Sequence, residues 1–208
     1  MLWWLLLPLA VLLGYVAGSY RAHLLQNQGE ALVRQVLVDQ LPTDSWHLLN
    51  NVTLPVTDGT TQIDHILVSR YGIFVIETKH YKGWIFGDAS SRQWTQVIYR
   101  SKHRFQNPLH QNYKHTKAVQ QLLDFLPSEH ITGLVVFTGE AEFKSRRPVG
   151  VFALDALLAH LKGHDLQVMS ENRMQFCIGR LEWKRLALTR DTDVEHRANL
   201  ATRHRNAP

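Results

Sequence analysis

Residues 63 to 80, "IDHILVSRYGIFVIETKH", constrain the fold more than any other stretch of the chain. Two runs of branched and aromatic residues flank Arg70-Tyr71, the pattern of two strands joined by a tight turn. Side chains alternate between the faces of a strand, so Ile73, Val75, Glu77 and Lys79 share one face, and Phe74, Ile76 and Thr78 the other. If Ser69 opposes Gly72, then Asp64 opposes Glu77, and two carboxylates repel each other on a face otherwise lined by Ile66, Val68, Ile73 and Val75. A slip of one residue would send Asp64 to the opposite face. A salt bridge of Asp64, Glu77 and Lys79 on a solvated sheet would have polar neighbours, which this face lacks. A divalent cation answers the repulsion more fully: Asp64 and Glu77 as oxygen ligands suit Mg²⁺ or Mn²⁺.

The 208 residues suffice for one domain with a sizeable core and an additional segment. That segment is residues 1–20, "MLWWLLLPLAVLLGYVAGSY", which carry no charge and as a helix would span roughly 30 Å of hydrocarbon. They read as a single transmembrane anchor; a cleaved signal peptide would need Lys or Arg ahead of the apolar run, and a soluble core helix a polar face. Arg21 and Arg34 follow the span and nothing basic precedes it, which places the remainder in the cytosol, at the inner membrane if the source is bacterial. The single cysteine, Cys177, cannot form an intrachain disulfide and agrees with that compartment.

Beyond a short linker, 21–28, the pattern of Leu32, Val33, Val36, Leu37 and Leu41 predicts an amphipathic helix ending before Pro42, with Glu30 oddly placed on or beside its buried face. Strands are expected at 46–55, 61–69 and 72–79, then short ones at "GWIFG" and "QWTQVIY". Asn107-Pro108 reads as N-cap and first position of a helix that runs to Pro127. An inner strand at 131–139, one more at "VGVFAL" and helices near 154–162 and 170–189 precede a polar tail from 190 to 208. The order predicts a mixed α/β or α+β core.

Net charge is +5, and it is concentrated between His80 and Lys117, where seven basic residues meet one acid, Asp88. Tyr81, Trp84, Phe86, Trp94, Tyr99, Phe105 and Tyr113 are interspersed there. Cations mixed with aromatics can make a nucleic-acid surface. Equally, the aromatics can be core and the cations a solvated face.

"GTTQIDHILVSRYGIFVIETKHYKGWIFGD", Trp94 and "NPLHQNYKH", with Gly29-Glu30 before them, resemble the nuclease-related (NERD) domain, a branch of the PD-(D/E)XK nuclease-like superfamily. The resemblance covers 29–126 and implies a restriction-endonuclease-like central mixed sheet flanked by helices, completed by strands and helices over 127–189. It implies that Glu30 lies near the active site, that Asp64 and Glu77 hold metal, that Lys79 assists the attacking water and that Gln111 positions backbone or water. His115 stands where the family pattern has a histidine and is read as structural. Lys82, Arg100, Lys102, Arg104 and Lys114 become candidates for phosphate contacts. The expected protein is a membrane-anchored, Mg²⁺- or Mn²⁺-dependent nuclease acting on DNA in preference to RNA, without an organic cofactor and capable of acting as a homodimer. Its rivals are a nucleic-acid-binding or tethering module with little turnover and a scaffold whose basic segment faces anionic lipid.

Overall fold

A computed structural model describes residues 3–187, and within the first helix it describes side-chain surroundings only at positions 18, 20 and from 24 onward. The expected polar tail, 190–208, lies outside the described residues, as do nearly all side chains of the expected anchor, 1–20. Among the described residues no helix is long and apolar enough to cross a membrane.

The chain opens with one continuous helix, α1 (Trp3–Gln40). Residues 21–28, expected as a linker, are helical: "RAHLLQNQ" holds neither Pro nor Gly and is rich in good helix formers. Gly29 lets α1 lie close against the sheet, since a β-carbon there would stand 2.6 Å from His80 Cβ and 2.8 Å from Thr138 Oγ1. Val33, Leu37 and Leu41 carry the buried stripe, whereas Leu32 and Val38 are exposed.

A five-stranded sheet follows the order β1-β2-β3-β7-β9, built from β1 (Trp46–Val56), β2 (Gly59–Ser69), β3 (Gly72–His80), β7 (Ile131–Thr138) and β9 (Val151–Ala153). The first three form an antiparallel meander; β7 and β9 add to it in parallel. A second, four-stranded sheet has the order β6-β5-β4-β8, from β4 (Gly83–Phe86), β5 (Gln93–Ile98), β6 (Ser101–Gln106) and β8 (Ala141–Phe143). The single central sheet implied by the resemblance is therefore two mixed sheets flanked by helices. β6 and β8 have no alternating apolar pattern in the sequence, because most of their side chains are exposed or only half-buried.

Both faces of the large sheet are covered. Phe74, Ile76 and Leu134 pack with Val33 and Leu37 of α1 and with Leu157 and Leu161 of α3 (Leu154–Lys162). On the other face, Ile66, Val68, Ile73 and Val75 pack with Val119 and Leu123 from α2 (Pro108–Leu122) and its end, and with Met174, Cys177 and Leu181 of α4 (Glu171–Lys184). Each fully buried side chain of this kind contributes about 1.5–3 kcal/mol over leaving it in water. A third cluster, Ile85, Trp94, Val135, Phe137 and Val151, seats the small sheet against β7 and β9.

Candidate active site

The hairpin of β2 and β3 has the register that sets Ser69 opposite Gly72, and its ladder runs as far as His65 opposite Ile76. One step on, where Asp64 and Glu77 meet, a side chain replaces the ladder: the Thr78 amide donates to Asp64 Oδ2 at 2.7 Å. The Thr78 carbonyl accepts at 2.7 Å from Nε2 of Gln26, on α1. Both backbone groups of Thr78, the residue between the two charged residues of β3, are thus bonded to side chains. Gln26 Nε2 also donates to Glu30 Oε1 at 3.1 Å, which fixes the carboxylate that the sequence marked as oddly placed.

Helix α2 is polar where it meets this end of β3. Asn107 caps it, accepting from the Leu109 amide, with Pro108 at the first position. Leu109 packs against the Trp94 cluster and Ala118 and Val119 against the large sheet, with the polar Gln111, Asn112, His115 and Thr116 between them at the site. Asn112 donates to the carbonyls of Val75 at 2.9 Å and Leu134 at 2.8 Å, bridging β3 and β7. Gly133 permits that approach, since a β-carbon there would lie 2.6 Å from Thr116 Oγ1.

Glu77 is 2% exposed. Lys79 Nζ stands 2.6 Å from its Oε1 and donates to Gln111 Oε1 at 3.1 Å. His115 Nε2 lies 3.3 Å from Glu77 Oε2, close enough for a charge contact but not aligned as a hydrogen bond. Its Nδ1 is 2.7 Å from Thr61 Oγ1. With that hydroxyl donating, the neutral ring carries its proton at Nε2, facing the carboxylate. A run of contacts therefore extends from Thr61 through His115, Glu77 and Lys79 to Gln111.

The two carboxylates are driven apart in acidity. Burial, then the charges of Glu77 and Glu30, raise the Asp64 carboxyl well above its ordinary range, against the pull of the Thr78 amide and Lys79. Burial would raise Glu77 as well, but the Lys79 ammonium and the contact with His115 outweigh it and leave Glu77 below its ordinary value. Burial pushes Lys79 down, and Glu77 and Asp64 more than reverse this, so it remains a cation. One ammonium offsets one carboxylate, and the second is left in like-charge repulsion.

Asp64, Glu77, Lys79 and Gln111 are brought together as the sequence predicts, and Glu30 comes close enough for Asp64 to feel its charge. His115, read as structural, touches Glu77; its spacing of four residues from Gln111 was the available signal. Gln26, Thr61 and Asn112 were not anticipated, since a lone Gln, Thr or Asn has no periodicity to betray it. Among the described residues no group of three or more His, Cys, Asp and Glu forms a metal cage. The donor set nonetheless fits a hard divalent cation: two carboxylates, Asp64 kept short of positive charge, and a buried Glu77 Oε2 without a hydrogen bond. Of the phosphate-contact candidates, Lys82, Arg100, Lys102, Arg104 and Lys114 are all exposed, the first four on and around the small sheet and the last on α2.

The sequence profile of the nuclease-related domain, NERD, matches residues 25–138, more than half of the chain. The chain belongs to the NERD family. The matched region holds Glu30, Asp64, Glu77, Lys79, Gln111 and His115, together with Gln26 and Asn112. It ends with β7, so β8, β9, α3 and α4 lie beyond the NERD match. An uncharacterized protein of Bacillus anthracis is 50% identical over 97 residues, 46% of this chain and 45% of that protein. This chain therefore spans less than half the length of that relative.

Proposed function

We propose that this NERD protein is a divalent-metal-dependent nuclease that hydrolyses phosphodiester bonds in DNA and is held at a membrane by residues 1–20. The observation that carries the hydrolytic reading is the convergence of Asp64, Glu77, Lys79 and Gln111 at the end of β3, with one carboxylate more than the local cations offset. Asp64 and Glu77 would hold Mg²⁺ or Mn²⁺, which when bound supplies Lewis acidity toward water and phosphate. Lys79, positioned between Glu77 and Gln111, offers its ammonium to a phosphoryl oxygen or orients the attacking water. Gln111 limits where the ammonium can sit. His115 contacts Glu77 and is itself bonded to Thr61, while Asp64 and Gln26 fix the Thr78 backbone between the two charged β3 side chains.

DNA as substrate is supported by the family and by the exposed cations of the small sheet and α2. Membrane attachment, with the globular part on the cytosolic side, is supported by the uncharged run 1–20 and by the arginines that follow it.

The deciding experiment incubates the full chain, purified in detergent, with labelled single-stranded, duplex and branched DNA and matching RNA, in Mg²⁺, Mn²⁺ or EDTA, beside Lys79→Ala. Cutting that needs the metal and is lost in the variant is the expected result. Salt-sensitive binding with no cutting in any metal would replace the nuclease by a tethering module.

A further inference from the structure

The seven aromatics of the basic segment fall into two sets. Tyr81, Trp94 and Phe105 point inward, packed with Phe137 and Phe143. Trp84, Phe86, Tyr99 and Tyr113 are exposed, Trp84 by 48% and Tyr99 by 97%. Strand pairing accounts for the division within the small sheet. Residues directly opposed across antiparallel strands share a face, so the inward row of Trp94 and Phe105 leaves two rows pointing out. One runs Trp84, Val97, Lys102; the other runs Phe86, Thr95, Arg104. Each has an aromatic ring on β4, a small side chain on β5 and a cation on β6. Among the described residues neither Lys102 nor Arg104 pairs with an acid. The acid on this face, Glu142 of β8, is bound to Lys144, whose ammonium lies 5.0 Å from the centre of the Trp84 ring.

We propose that the outward face of the β4-β5-β6-β8 sheet is a docking platform for single-stranded nucleic acid, with two unstacked bases on Trp84 and Phe86 and their phosphates toward Lys102 and Arg104. The inference rests on the reading that this protein handles nucleic acid, and adds the form of its substrate. Spacing selects the single strand. Trp84 and Phe86 are two residues apart on one strand, about 6.7 Å, whereas neighbouring bases in a duplex are about 3.4 Å apart. Two adjacent bases can meet the two rings only when pulled out of their stack, and a duplex has no free base faces to offer. The turn after β5 adds a second observation. Tyr99 holds a φ of 53° in the left-handed region, costly for a tyrosine, with its ring in solvent beside Arg100. The positive φ is what the first residue of a two-residue hairpin turn requires, and the turn so formed presents a ring and a cation at the platform's edge.

Fluorescence anisotropy of the full chain in detergent and EDTA, with a labelled oligothymidine and a blunt duplex of equal length, tests this. The single strand should bind more tightly than the duplex. Trp84→Ala should weaken oligothymidine binding about tenfold, within the range for one stacked base, and Trp84→Phe should restore it. Lys102→Ala should lower the slope of log affinity against log salt by about one. Thermal melts of each variant separate lost binding from lost folding. Equal binding by wild type and Trp84→Ala, or a preference for duplex, overturns the platform; if cutting still depends on Lys79, the nuclease reading survives it. Loss of single-strand binding in Trp84→Ala, in a protein that cuts nothing with any metal, supports the platform and removes the nuclease. Failure to bind either probe overturns the platform and leaves the nuclease reading to the cleavage assay.

Discussion

The two sheets solve opposite problems. The five-stranded sheet is covered by helices on both faces, so each polar group within it needs a partner: Glu77 takes Lys79 and His115, His65 takes Asn50, and Asn112 bridges two strands. The four-stranded sheet is covered on one face only, and on the other it leaves rings and cations in water. Chemistry that needs shifted acidities belongs to the first sheet, where burial and neighbouring charge shift them. Contacts that must be made and released many times belong to the second.

The largest test of that division is Lys79→Ala. Loss of a preorganised cation at the reacting group should reduce cleavage by about 10³-fold or more; if cutting continues, the chemistry does not reside at the end of β3. Next comes a pair of tryptophans from the small sheet. Trp94 is fully buried and Trp84 is not, so Trp94→Ala should cost about 3–5 kcal/mol in urea unfolding, and Trp84→Ala no more than about 0.5 kcal/mol. Similar losses would mean that the outward face is covered in the folded protein.

A smaller effect is expected from acidification. Burial, opposed by the Glu77 charge but helped by Arg34, pushes the His65 imidazole down to about 4, with Nδ1 2.8 Å from Asn50 Oδ1. Between its ordinary value of 6.5 and about 4, the unfolded chain binds a proton that the folded chain refuses, so stability falls as pH falls through that window. Integrated from pH 7 to pH 5 this amounts to about 2 kcal/mol. Urea melts of wild type and His65→Gln at the two pH values should differ by that amount, and an identical pH dependence would place the loss elsewhere. The smallest effect has the opposite sign: Tyr99→Gly relieves the positive φ and should stabilise by about 0.5–1 kcal/mol. If the hairpin tip serves binding, the same change should weaken oligothymidine capture.

Legibility followed the same division. The β2-β3 register could be read from the tight turn, which sets Ser69 opposite Gly72, and from the two acids, because a slip of one residue would have sent Asp64 to the face opposite Glu77. The cap and first turn of α2 were readable from Asn107-Pro108 for local reasons. β6, "SKHRFQ", was not, because only Phe105 signals a buried side and the remaining side chains are exposed. In the site, the charged residues announced themselves by standing in an apolar strand. Gln26 did not, because its role depends on α1 lying against the end of β3, fifty-two residues away in the sequence.

Gln26 also has a mechanical consequence. Because α1 is unbroken from Trp3 to Gln40, Gln26 is six residues, about 9 Å of helical rise, from Tyr20. A helix of that length behaves as a rigid spacer. Were residues 1–20 held as proposed, their grip would set the height and rotational angle at which Thr78 and its two charged neighbours are presented, and residues 21–28, which hold neither Pro nor Gly, would pass a twist on to Gln26.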